Sequence, residues 1–183
     1  MGLVVTTLAV HEGSEYSQQP NQLSVGDFNL IRIILDTCAN IDEAIAIIGQ
    51  YNIIQTGPLP IHLLIADNRE SCIVEFFDGK RQIKRDKDVN FLTNFLKLKT
   101  SDDEIQRNLC NRYQTLEKRF NKNKNINDVH DAKKLLLKVS VYTKDFQIPS
   151  TIYSAIYCPN DLSLKIKIAD ESKYYSLLLQ ESK

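Results

Sequence analysis

Leu59-Pro60-Ile61-His62-Leu63-Leu64-Ile65-Ala66-Asp67 runs on through Cys72-Ile73-Val74-Glu75-Phe76-Phe77 to Asp78-Gly79-Lys80. Thr56-Gly57-Pro58-Leu59-Pro60 punctuates the start of this stretch, and Asp67-Asn68-Arg69-Glu70 separates its two apolar runs. Asp-Gly between apolar and polar strand-like runs is a strong tight-hairpin signal, because both central residues of that turn need φ > 0. Strands are therefore expected at Ile61–Ala66, Cys72–Phe77 and Lys80–Lys84, with a fourth at Val89–Asn94, forming an antiparallel meander. Alternation is poor in Ile61–Ala66, as expected of a strand covered on both faces.

Upstream, Leu3–Val10 is rich in β-branched residues and reads as a strand, and His11–Ser24 as a polar loop. Asp27 is placed to cap a helix whose apolar face is Leu30, Ile31, Ile33, Ile34 and Leu35. Asn40 stands three residues before Glu43, a capping-box spacing, and opens a second helix through Ile45, Ile47 and Ile48. Downstream, Ser101 and Glu104 repeat that spacing before a long helix with Leu109, Tyr113, Leu116 and Phe120 on one stripe. Asp128–Val139 is a further helix with Ala132, Leu135, Leu136 and Val139 inward. After Pro149, Ser150–Cys158, Leu162–Ala169 and Tyr174–Leu179 read as three closing strands. Strand runs alternating with helix pairs give an α+β layered fold with mainly antiparallel sheets, in one domain spanning residues 1–183.

Lys plus Arg and Asp plus Glu are 23 each, so net charge points to no nucleic acid or acidic partner. No apolar run approaches the roughly 18 residues of a membrane span, and the N-terminus lacks the basic residues of a signal peptide. Cys38, Cys72, Cys110 and Cys158 form no CxxC and no Cys/His cluster at metal-ligand spacing, so no metal or other cofactor is expected. Buried reduced thiols fit a cytoplasmic location.

Few residues carry chemistry. Among the histidines, His62 lies in a strand, His11 in a loop and His130 on a helix. A thiol–imidazole pair is conceivable only through folding, for instance Cys72 near His62, and most such pairs are packing. Glu75, amid apolar neighbours, needs a partner if its face is buried; an exposed face is the equal alternative. Asn94 ends the fourth meander strand, where Asn is depleted, and its amide could donate to a ligand oxygen. Arg112 flanks the apolar stripe beside Tyr113, where a surface ion pair is the ordinary role.

The ordered series Gly2-Leu3-Val4-Val5-Thr6, Leu35–Ile45, Leu59–Asp67, Ile73–Lys80, Leu92-Thr93-Asn94-Phe95, Arg112-Tyr113 and Ser150–Tyr157 resembles the choloylglycine hydrolase and penicillin V acylase superfamily. The likeness is to its linear amide C–N hydrolase branch, near the C45 peptidase acyltransferases, and to the C-terminal part alone. The resemblance implies an N-terminal-nucleophile (Ntn) hydrolase αββα sandwich, here incomplete, and hydrolysis of a non-peptide amide by an N-terminal cysteine thiolate. It implies that Asn94 matches the oxyanion-hole Asn and Arg112 an Arg supporting the nucleophile and substrate carbonyl, while Tyr153-Ser154 is structural. Met1-Gly2-Leu3 corresponds to a point well inside such proteins, so the chain is expected to lack the nucleophile and to be inactive alone. The expected partners are then an N-terminal half or a second copy, with a small amide as substrate once the site is complete. The alternative is a non-catalytic binding or assembly module that retains the fold.

Overall fold

The computed structural model describes residues 2–10, 16, 18–99, 108–123, 125–143, 150–169, 171 and 173–178. Strand β1 (Val4–Ala9) lies beside β4 (Ile61–Ala66), which pairs with β5 (Ser71–Phe77), itself paired with β6 (Lys80–Asp86). All three ladders are antiparallel. Asp78 (φ 51°) and Gly79 (φ 63°) make the β5–β6 turn, so the Asp-Gly signal is realised with both central residues left-handed.

Side-chain alternation gives this sheet two different faces. Ile61, Leu63 and Ile65 of β4 and Cys72, Val74 and Phe76 of β5 share one apolar cluster with helices α1 (Asp27–Thr37) and α2 (Ile41–Gln50). Leu30 and Ile34 of α1, and Ile41, Ala44 and Ile48 of α2, are the helical half of that cluster. Each fully buried Leu or Ile here contributes about 1.5–3 kcal/mol of transfer free energy, which makes this layer the anchor of the chain. The opposite face carries His62, Ile73, Glu75 and Phe77, and the 91–98 segment closes over it, with Val10, Phe77, Leu96 and Leu98 in contact. Ile61–Ala66 is thus buried from both sides, as its unbroken apolar run implies.

Between the helices, Asn40 accepts from Glu43 N at 3.0 Å while Glu43 reaches back to Ala39 N at 2.7 Å, a reciprocal cap. Asp27 does not act as a cap. Gly26 occupies that position, and Asp27 is the first helical residue, 2% exposed, accepting from Thr56 N at 3.1 Å and from the Thr56 hydroxyl. It fastens the helix start to the connection before β4. Two further strands, β2 (Leu23–Gly26) and β3 (Tyr51–Ile54), form a short parallel pair flanking the two helices. Their sequence carries no turn signal where helix passes directly to strand, which hides them.

Val89–Asn94, expected as a strand, is irregular. Its polar groups are met by side chains instead: Asn90 donates to Ser71 O at 3.1 Å, and Lys97 Nζ to Phe91 O at 3.1 Å. Leu92, Phe95 and Leu96 are all buried, a spacing that no period-two ladder would allow. Helix α3 (Asn111–Lys122) packs Tyr113 and Phe120 against Phe91, with ring centroids 5.1 and 5.5 Å apart. Leu109 is off that stripe and 73% exposed, because extended backbone at Cys110 breaks the helical period ahead of it. The Ser101–Glu104 cap and Pro149 lie outside the described residues, as does His11.

Asp128 caps helix α4 (Val129–Val139) by accepting from Asp131 N at 2.8 Å. Of its expected inward residues only Leu135 is fully buried. The last sheet is antiparallel, in the order β7 (Tyr153–Cys158), β8 (Ser163–Ile168) and β9 (Tyr175–Leu178). The fold is therefore α+β with mostly antiparallel sheets.

Candidate active site

Asn94 and Arg112 come from the irregular segment over the first sheet and from the first turn of α3, and the fold joins them directly. Arg112 Nη2 donates to Asn94 Oδ1 at 2.6 Å, and Asn94 Nδ2 donates to Ala9 O, at the end of β1, at 2.8 Å. These partners fix the amide: only one orientation puts oxygen toward the guanidinium and nitrogen toward the carbonyl. Nδ2 carries two hydrogens, and Ala9 takes one of them. Among the described residues Arg112 meets no carboxylate. Both side chains are half-buried.

Beneath this pair sits Glu75, buried rather than exposed. Its Oε1 accepts from Lys97 N at 2.7 Å and lies 3.0 Å from His62 Nδ1, while its Oε2 accepts from Leu98 N at 2.7 Å. His62 and Glu75 are both fully excluded from solvent. Three donors converging on one carboxylate assign the imidazole hydrogen to Nδ1. His62 Nε2 is buried and has no hydrogen-bond partner among the described residues. An apolar strand interrupted by one carboxylate was the signal for Glu75. Its His62 partner could not be found without the register that sets Leu63 opposite Val74.

Cys72 and His62 are not brought together. Cys72 stands opposite Ile65 on the helix-covered face, whereas His62 points to the other side of the sheet. Burial pushes the Cys72 thiol up to about 11, which suppresses the thiolate that a nucleophile needs. Cys38, Cys110 and Cys158 are half-buried and unbridged. No group of His, Cys, Asp and Glu able to hold a metal occurs among the described residues, and no helix among them is long and apolar enough to cross a membrane. A cleft of about 400 Å³ beside Gln19, Gln22, Tyr51 and Arg81, and an apolar one of about 240 Å³ beside Leu3, Leu35, Tyr157 and Leu162, both lie apart from Asn94 and Arg112. Tyr16, Asp27 and Thr56 form a part-buried network of their own, with Tyr16 Oη 3.4 Å from Asp27 Oδ2 and 3.3 Å from Ile61 N, and no sequence signal marks it.

Layered helices and mostly antiparallel sheets give the chain an Ntn-hydrolase-like fold, as two solved structures show. The architecture matches penicillin V acylase from Agrobacterium tumefaciens with a TM-score of 0.72 and 18% identity, over 98% of this chain and 64% of that one. It also matches a variant of conjugated bile acid hydrolase from Clostridium perfringens with a TM-score of 0.72 and 12% identity, over 100% of this chain and 71% of that one. The chain thus spans less than two thirds of the length of the acylase. No curated protein matches it in sequence. Residues 1–173 match the family described as acyl-coenzyme A:6-aminopenicillanic acid acyl-transferase, and the chain belongs to that family.

Proposed function

We propose that this chain supplies the oxyanion-stabilising side of a linear amide C–N hydrolase, and that the attacking thiolate comes from a segment outside these 183 residues. The observation carrying this reading is the Asn94 amide, held at both ends by Arg112 and Ala9, with no partner for its second N–H among the described residues. In the reaction a cysteine thiolate attacks the amide carbonyl carbon, and the C=O π pair moves onto oxygen. The Asn94 N–H meets that developing charge, a contact made only as the tetrahedral intermediate forms. Collapse breaks the C–N bond, the amine leaves with a proton from the cysteine's α-ammonium group, and water then hydrolyses the thioester. Arg112 acts by holding Asn94 in the donating orientation.

One observation supports an external nucleophile: the buried Cys72 is a poor thiolate. The substrate class we assign is a small N-acyl amide of the penicillin V or conjugated bile acid type, by likeness to the solved relatives. The test is hydrolysis of penicillin V, a conjugated bile salt and an N-acyl homoserine lactone by the 183-residue chain. It is run beside the same chain joined to whatever coding sequence precedes Met1. No turnover by the former and turnover by the latter is expected; turnover by the 183 residues alone would overturn the reading.

A second observation favours assembly. In the β7–β9 sheet, Tyr153, Ala155, Tyr157, Leu164, Ile166, Ile168, Tyr175 and Leu177 fall on one side by register, with no charged residue among them. Tyr153, Tyr157, Ile168, Tyr175 and Leu177 are 47–60% exposed. Monomeric proteins rarely expose contiguous apolar faces of this kind. The missing segment or a second copy is the proposed cover.

A further inference from the structure

We infer that Glu75 is the positioning residue for Asn94, and that His62 holds Glu75 in place from within the sheet. The inference rests on the oxyanion role given to Asn94 above.

The geometry is a clamp. Asn94 is tied to β1 through Ala9 O, and three residues later the backbone is tied to β5 through Lys97 N and Leu98 N on Glu75. Three residues span at most about 10 Å, so fixing both ends leaves the Asn94 backbone little freedom. No strand ladder holds this segment, which is irregular throughout, so its placement depends on side-chain anchors. Glu75 is the anchor that takes two of its main-chain donors at once, each at 2.7 Å.

Stability alone is a poor reason for this carboxylate. A buried carboxylate and its partner are often matched or bettered by apolar residues of the same volume, and Ile73 and Phe77 beside it on the same face show that apolar side chains fit there. What an apolar residue cannot do is accept two consecutive backbone N–H groups. His62 is placed to stop the carboxylate rotating: its Nδ1–H holds Oε1, already shared with Lys97 N, so that Oε2 faces Leu98 N. A misplacement of about 1 Å at a catalytic donor costs on the order of 10²-fold in rate, so a device that fixes Asn94 has a catalytic purpose.

The test uses the 183-residue chain labelled with ¹⁵N, without substrate. In the wild type, the Lys97 and Leu98 amides should exchange with solvent slowly, and the Asn94 side-chain amide should give resonances distinct from those of exposed Asn residues. Glu75→Gln keeps the volume but turns one acceptor into a donor. It should speed exchange at both amides by about 10- to 100-fold, the equilibrium worth of one charge-assisted hydrogen bond, and move the Asn94 resonances. Glu75→Asp, which retains the charge on a shorter stem, should move them as well and serves if the Gln variant does not fold. Fast wild-type exchange at Lys97 and Leu98, or a lowered melting temperature with unmoved Asn94 resonances, would overturn the clamp. Moved resonances together with unchanged turnover when Asn94→Ala is placed in the completed, active polypeptide would leave the clamp standing and overturn the oxyanion assignment instead.

Discussion

Asn94 is an unusual residue to find half-buried with its oxygen on a guanidinium and its nitrogen on a main-chain carbonyl. That arrangement leads to unequal penalties in the active polypeptide. Asn94→Ala should lower kcat by about 10²–10³-fold with little change in KM, as for loss of one oxyanion donor. Arg112→Leu leaves the donor but frees the amide to flip, and a loss of about tenfold is expected, the worth of one orienting hydrogen bond. Steady-state kinetics on the two variants checks both. Cys72 gives an independent test at the same scale. With its thiol pushed up to about 11, only about one molecule in a thousand carries the thiolate at pH 8. Iodoacetamide followed by peptide mass spectrometry should label Cys38, Cys110 and Cys158 first and Cys72 last.

At the scale of elements, the start of α2 is held twice, by its Asn40–Glu43 cap and by Asp67 at the end of β4. Asp67 accepts from Ile41 N at 3.2 Å, Arg69 N at 2.8 Å and Glu70 N at 3.1 Å. Burial pushes its carboxyl up, yet those backbone donors and the Arg69 charge together hold it below its ordinary 3.8. A carboxyl depressed on folding stabilises the native state above its unfolded pKa and loses that contribution as pH falls through the folded value. Asp67→Asn should therefore cost about 1 kcal/mol at pH 7, and the gap from wild type should shrink below about pH 4; urea titrations at pH 7 and pH 3 measure it. The elements that could be read from sequence are those with local punctuation. Asp78-Gly79 placed β5 and β6, Asn40 with Glu43 placed α2, and Asp128 placed α4. β2 and β3 escaped because their pairing is non-local, and Val89–Asn94 reads as a strand because its apolar residues look strand-like, whereas the side chains of Lys97 and Glu75 satisfy backbone groups of the 91–98 segment. Asn94 and Arg112 were legible as candidates through a family likeness. Their hydrogen bond was not, since residues 18 positions apart meet only through tertiary packing.

For the whole molecule, the decisive feature is the β7–β9 sheet, one charge-free face of which leaves Tyr153, Tyr157, Ile168, Tyr175 and Leu177 47–60% exposed. Such a face is satisfied by another sheet, and its lack of charge imposes no repulsion on a second copy or on a segment of a longer chain. Light scattering should return a mass above the 21.0 kDa of one chain, and a clean monomer would count against assembly. Leu177, 52% exposed, supplies the control: Leu177→Lys should alter monomer stability by no more than about 0.5 kcal/mol, yet dissolve the association by placing a charge on that face.

The most direct measurement compares N-acyl amide turnover by the 183-residue chain, by the same chain completed with a cysteine-headed N-terminal segment, and by the latter with Asn94→Ala. The account predicts no turnover, turnover, and a loss of about 10²–10³-fold, in that order. Activity in the 183 residues alone, or an Asn94→Ala enzyme as fast as its parent, would contradict it.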